Sequence, residues 1–290
     1  MTEASELDRD AARGHADHGL ALGLVAMAPL LVLGEVAGSL APETGRSAAQ
    51  ALLFLVLEPA GAAGDSLRRL ILLAVLIAAV LRLVRQKVPL VPKVLRRLGE
   101  GALGAIVLGP LLLALGPLVG ALLSPWGWGS PSAFSPLAGR LGEATSTGAA
   151  PSLSTGALVA SAGAWEEILC RVLLYGLLLL LVRRTGLLLG LGKRLSTLAG
   201  EVVGLLGSAV LFATLHLEIV LGSLGPWLGG GGMAGGAMGE PFEPAVFTWR
   251  CTAGILLGLL FRWRGPGVAA WTHALFNLGL LLGAGPGVLL

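Results

Sequence analysis

The chain has 290 residues, 55% of them hydrophobic and only 13% charged, with a formal net charge of +3. Soluble domains carry about 25% charged residues, and the mean hydropathy here is +0.84, so a soluble globular enzyme is excluded. The apolar runs are continuous rather than alternating, which excludes a β-barrel, and no basic stripe marks a nucleic-acid surface.

In chain order, residues 1–19 are polar and of mixed charge and are expected to form an irregular tail. Leu20 to Leu40 is the first spanning candidate, with Glu35 toward its far end. Ser39-Leu40-Ala41 resembles a signal-peptidase site. The preceding acids and the length of the apolar run favour a retained helix. Ala48 to Gly64 is short and interrupted by Glu58-Pro59, so it either dips into the membrane or lies in the interface. Leu67 to Val84 and Gly101 to Leu123 are further spans, separated by the bases Arg82, Arg85, Lys87, Lys93, Arg96 and Arg97. Ser124 to Pro151 reads as a loop rich in Pro, Gly and Ser. Its single base is Arg140, and Trp126 and Trp128 suit an interfacial belt.

Leu153 to Val182 is apolar except for Glu166, Glu167, Arg171 and a few small polar residues, and ends on Arg183 and Arg184. A bilayer needs about 20 apolar residues per helix. Charges at that depth are costly, face a protein interior or a wet cavity, and mark function. Gly200 to Leu228 carries Phe212 and His216. The Gly/Ala/Met-rich stretch Gly229–Gly239 reads as a flexible linker, or more sharply as a mobile gate. Pro244 to Phe261 and Pro266 to Leu282 complete the spans, the last with His273 and Asn277. Cys170 and Cys251 lie in apolar segments and read as buried small hydrophobes, not a disulfide. Arg250, also inside a span, receives no role.

The expected fold is all-α: a polytopic transmembrane bundle of seven helices, or eight if Ala48–Gly64 crosses. Three parts are expected: the tail 1–19, N-terminal helices with an outer loop over 20–151, and a core over 152–290. Basic clusters at 82–97, 183–194 and 262–264 alternate with nearly base-free loops, so those clusters face the cytoplasm. The C-terminus is then outside. The N-terminus is inside with seven spans and outside with eight. The expected location is the cell (inner) membrane.

Glu167 and Arg171 are four apart and can pair on one helical face, with Glu166 turned about 100° away. Phe212 and His216 share a face, as do His273 and Asn277. The bland reading is a structural ion pair and two core histidines. Gathered in neighbouring spans, these residues instead have the makings of a site.

Three motifs carry a family resemblance: Glu-Glu-x-x-x-Arg at Glu166-Glu167-Ile-Leu-Cys-Arg171, Phe-x-x-x-His at Phe212-Ala-Thr-Leu-His216, and His-x-x-x-Asn at His273-Ala-Leu-Phe-Asn277. Residues 153–282 resemble the CPBP family, the CAAX-protease and bacteriocin-processing intramembrane peptidases, which includes the type II CAAX prenyl endopeptidases. Cys170 departs from the aromatic that many members carry before the Arg. The resemblance implies an intramembrane endopeptidase with a water-filled cavity. Its substrates would be peptides or membrane proteins in the lipid bilayer, with no nucleic acid. Glu166 is the candidate base that activates water, assisted by His216. His273 and Asn277 would donate to the oxyanion. Glu167 and Arg171, with Phe212, would support them, or Arg171 would bind a substrate carboxylate.

No cofactor is expected on the glutamate mechanism. A zinc site of Glu166, His216 and His273 stays open beside it, although no His-Glu-x-x-His helix is present. The competing classes are a membrane scaffold or immunity protein and, ranked last, a transporter or proton relay.

Overall fold

A computed structural model of the chain describes residues 3–40, 47–128, 152–220 and 241–282. The gate expected at Gly229–Gly239 and the outer loop from residue 129 to Pro151, with Arg140, lie outside the described residues. So do Ala41 and the stretch of the fifth expected span from residue 221 to Leu228.

Every described element is helical: α1 (Glu3–Leu40), α2 (Ala48–Leu53), a 3-10 turn (Leu55–Ala60), α3 (Gly61–Arg85) and α4 (Leu90–Leu123) with a 3-10 turn (Ser124–Trp126). Then follow α5 (Leu153–Glu167), a π-helical segment (Ile168–Tyr175), α6 (Gly176–Leu188), α7 (Lys193–Thr214), α8 (Pro244–Arg264) and α9 (Pro266–Leu281). The polar tail, expected to be irregular, instead runs from Glu3 as the start of α1. Its Glu, Ala, Leu and Arg residues are good helix formers.

Among the described residues, four helices are long and apolar enough to cross a membrane: Gly19–Leu40, Leu90–Trp126, Lys193–Thr214 and Pro244–Arg264. This is a membrane protein. Large apolar side chains stand exposed on its surface, such as Leu70, Leu73 and Ile77 on α3 and Leu103, Ile106 and Leu122 on α4. The ambiguous segment Ala48–Gly64 contains helices of only 6 residues each before α3 begins. At about 1.5 Å per residue neither can cross a bilayer. Ser47 caps α2 by accepting from Gln50 N at 3.2 Å.

The bundle is organised around α9, which packs on α1, α4, α5 and α8. Small residues make this possible. A Cβ on Gly267 would sit 2.9 Å from the Ala26 side chain of α1, so these backbones touch. Tryptophans then tie helices together by donating indole N–H groups to carbonyls: Trp271 Nε1 to Ala26 O and Trp249 Nε1 to Leu112 O, each at 2.7 Å. The sharp corner between α8 and α9 is built by Gly265 at φ 87°, followed by Pro266 at the first helical position.

Charges in the helices are matched across them. Glu35 of α1 takes hydrogen bonds from Arg68 and from Gln50 Nε2 (2.9 Å), and Arg69 Nε lies 3.5 Å from it. Glu201 of α7 holds Arg262 of α8 through two nitrogens at 2.8–3.0 Å and accepts from Tyr175 at 3.2 Å. Glu100 binds Arg96 and Arg264 at 2.8 and 2.9 Å. Both cysteines are free.

Candidate active site

Glu166 and Glu167 end α5, where the helix widens into the π segment. Such widened turns are frequent at functional sites. Just upstream, Gly163 lets α5 lie against α9: a Cβ there would stand 3.0 Å from Ala274 N and 3.3 Å from His273 C. The two carboxylates are thereby brought onto His273.

His273 Nδ1 lies 3.1 Å from Glu167 Oε1, and Nε2 lies 3.5 Å from Glu166 Oε2. The sequence reading turned Glu166 away from its neighbour's face. In the structure one imidazole spans both, because its two nitrogens reach in different directions. Glu167 is fully buried, whereas the Glu166 side chain keeps 16% exposure. Glu166 is therefore the member of the pair open to a substrate. Its Oε2 has no hydrogen-bond partner among the described residues.

Arg171, also fully buried, places Nε 3.5 Å from Glu167 Oε2 and donates from Nη2 to Gly254 O at 3.1 Å. Its guanidinium lies 5.0 Å from the centre of the Phe212 ring. The same ring meets His216 at 5.0 Å and His273 at 5.5 Å, edge to face in both cases. Phe212 is thus the ring on which Arg171, His216 and His273 converge.

His216 was expected within a helix. It lies in the turn that closes α7, and its Nδ1 is 2.8 Å from Phe212 O. The backbone there tightens to i→i+3 bonds, with His216 N donating to Ala213 O at 3.2 Å. Among the described residues no hydrogen bond holds its other nitrogen, Nε2. Asn277 follows His273 by one turn of α9 and is half-buried. Among the described residues no hydrogen bond holds its amide.

The sequence reading gave Arg250 no role. It lies on α8 one turn before Gly254, whose carbonyl Arg171 binds. Its only signal in the sequence was a base inside a span. Gly163 gave none, because glycines are frequent throughout this chain.

The donors proposed for zinc do not fit a metal as they stand. Among the described residues no three His, Cys, Asp or Glu side chains are grouped to hold one, and both nitrogens of His273 face carboxylates. What the arrangement offers is a partly exposed carboxylate, an imidazole clamped by a second carboxylate, and a second imidazole across a phenyl ring. A family profile described as type II CAAX prenyl endopeptidase, Rce1-like, matches residues 149–279. No curated protein and no solved structure matches the chain.

Proposed function

Because residues 149–279 match the profile of the Rce1-like family of type II CAAX prenyl endopeptidases, a family of intramembrane proteases, we propose that this protein is a glutamate-dependent intramembrane endopeptidase. The observation that carries the reading is the clamp of His273 between Glu166 and Glu167, on the partly exposed side of which Glu166 stands.

The chemistry follows from that clamp. Peptide hydrolysis needs an activated water and donors for the developing oxyanion. Glu166 accepts a proton as the water oxygen attacks the scissile carbonyl carbon. Glu167, whose ionised carboxylate only accepts hydrogen bonds, takes the Nδ1–H of His273 and turns Nε2 toward Glu166 and the substrate. The proton taken by Glu166 passes on to the leaving amine as the C–N bond breaks. His216 helps orient the water, and Asn277 together with His273 in its imidazolium form, which alone carries an N–H on both ring nitrogens, stabilises the oxyanion. Arg171 neutralises Glu167 and, through Phe212 and Gly254, locks the catalytic turn to α7 and α8.

In the same reading the chain crosses the cell membrane seven times, through α1, α3, α4, the continuous helix from α5 to α6, α7, α8 and α9. The N-terminus and the basic ends then face the cytoplasm. Residues 152–290 form the catalytic core, which the N-terminal helices of 20–151 brace through α9. Membrane-embedded peptides and proteins are the substrates.

The test is cleavage of a membrane-anchored peptide library by the protein purified in detergent, with products identified by mass spectrometry. Wild-type cleavage that disappears in Glu166→Gln supports the reading. Undiminished cleavage in that variant removes Glu166 as the base.

A further inference from the structure

Arg250 stands outside the three motifs, and the packing of α8 on α7 fixes its level. A Cβ on Gly254 would meet Ala209 Cα at 2.9 Å, and one on Gly258 would meet the side chain of Leu205. The contacts advance along α8 while they retreat along α7, so the two helices are antiparallel and in contact through these glycines. One turn back from Gly254 is Arg250, and one turn on from Ala209 is Ala213. Ala213 directly follows Phe212 in the turn that His216 closes. Arg250 therefore lies level with the Phe212–His216 turn, about 6 Å along α8 from the carbonyl that Arg171 binds.

The two arginines near the site differ in access. Arg171 is fully buried, enclosed by Glu167, the Gly254 carbonyl and the Phe212 ring. Arg250 is half-buried. A guanidinium carries five N–H donors, so it can keep contacts within the protein and still present two to a carboxylate as a fork.

We propose that Arg250 is a specificity-determining residue that binds a carboxylate of the substrate beside the scissile bond. Two sources have this chemistry: the free C-terminal carboxylate of a peptide cut near its end, and an Asp or Glu side chain flanking the cut. The proposal rests on the peptidase reading above.

The experiment compares three peptides of one sequence: one with a free terminus and a flanking Glu, one with the terminus amidated, and one with that Glu replaced by Gln. Wild-type kcat/KM is expected to fall at least about 10-fold for whichever peptide lacks the recognised carboxylate, which identifies the source. Arg250→Gln is expected to cut the intact and neutralised peptides at equal rates, and Arg250→Lys to keep part of the preference. Equal wild-type rates on all three peptides overturn the role of Arg250 and leave the peptidase reading standing. No wild-type cleavage of any peptide overturns both. A uniform loss on all three in Arg250→Gln also overturns carboxylate binding. Should the Gln variant fail to fold, the Lys variant reads the same ratio, and an unchanged ratio overturns the proposal.

Discussion

Glu167 and His273 are joined, Oε1 to Nδ1, at 3.1 Å, with both side chains buried. The bond decides which nitrogen of the ring faces Glu166. It also belongs to a pair, since Glu167 is the counter-charge of the fully buried Arg171. Removing one partner of a buried ion pair costs about 3–5 kcal/mol, whereas replacing both by apolar groups is often neutral. Glu167→Gln is therefore expected to lower both the unfolding temperature in detergent and the cleavage rate. Glu167→Gln combined with Arg171→Met should recover most of the thermal stability and none of the cleavage. Recovery of cleavage in the double variant would show that the pair acts on folding alone.

Glu166 differs from its neighbour in exposure and in having Oε2 without a hydrogen-bond partner among the described residues. Glu166→Gln preserves shape and breaks no buried ion pair of Arg171. Its unfolding temperature should match the wild type. Loss of a general base costs about 10²–10⁴ in rate, and turnover of a fixed peptide substrate should fall by that range.

Gly163 brings α5 against α9. A Cβ there meets backbone atoms, Ala274 N at 3.0 Å among them, and backbone cannot give way as a side-chain tip can. Gly163→Val should cost about 1–3 kcal/mol by overpacking and draw both carboxylates away from His273, lowering kcat at least about 10-fold. Gly156→Ala on the same helix is the control. Its Cβ would lie 3.8 Å from the Leu278 side chain, an ordinary contact. Equal kinetics in the two variants would dispose of the argument.

Phe212 touches Arg171, His216 and His273 at 5.0, 5.0 and 5.5 Å. A desolvated cation–π contact is worth about 2 kcal/mol. Phe212→Leu keeps the bulk but loses the ring, so it should destabilise by about that amount and lower kcat more than it raises KM. The measurement is a Michaelis profile beside a thermal melt. A change confined to KM would move Phe212 from supporting the site to contacting substrate.

The apolar runs by themselves determined that the chain is helical and lodged in a membrane. Backbone groups in lipid can be satisfied only within a helix or a closed barrel, a constraint each segment meets on its own. The same logic marked Glu166, Glu167, Arg171, His216, His273 and Asn277, because charged and polar groups in such runs are conspicuous. Helical periodicity paired Glu167 with Arg171 correctly. It also left Glu166 turned toward another partner, which the structure supplies as His273, from a helix about 100 residues away in sequence. Tertiary packing decided the rest. The π turn after Glu167, the end of α7 at His216, the contact of Gly163 with α9 and the level of Arg250 on α8 depend on which backbones touch. That is set by matching surfaces of distant segments, which no local run of residues encodes.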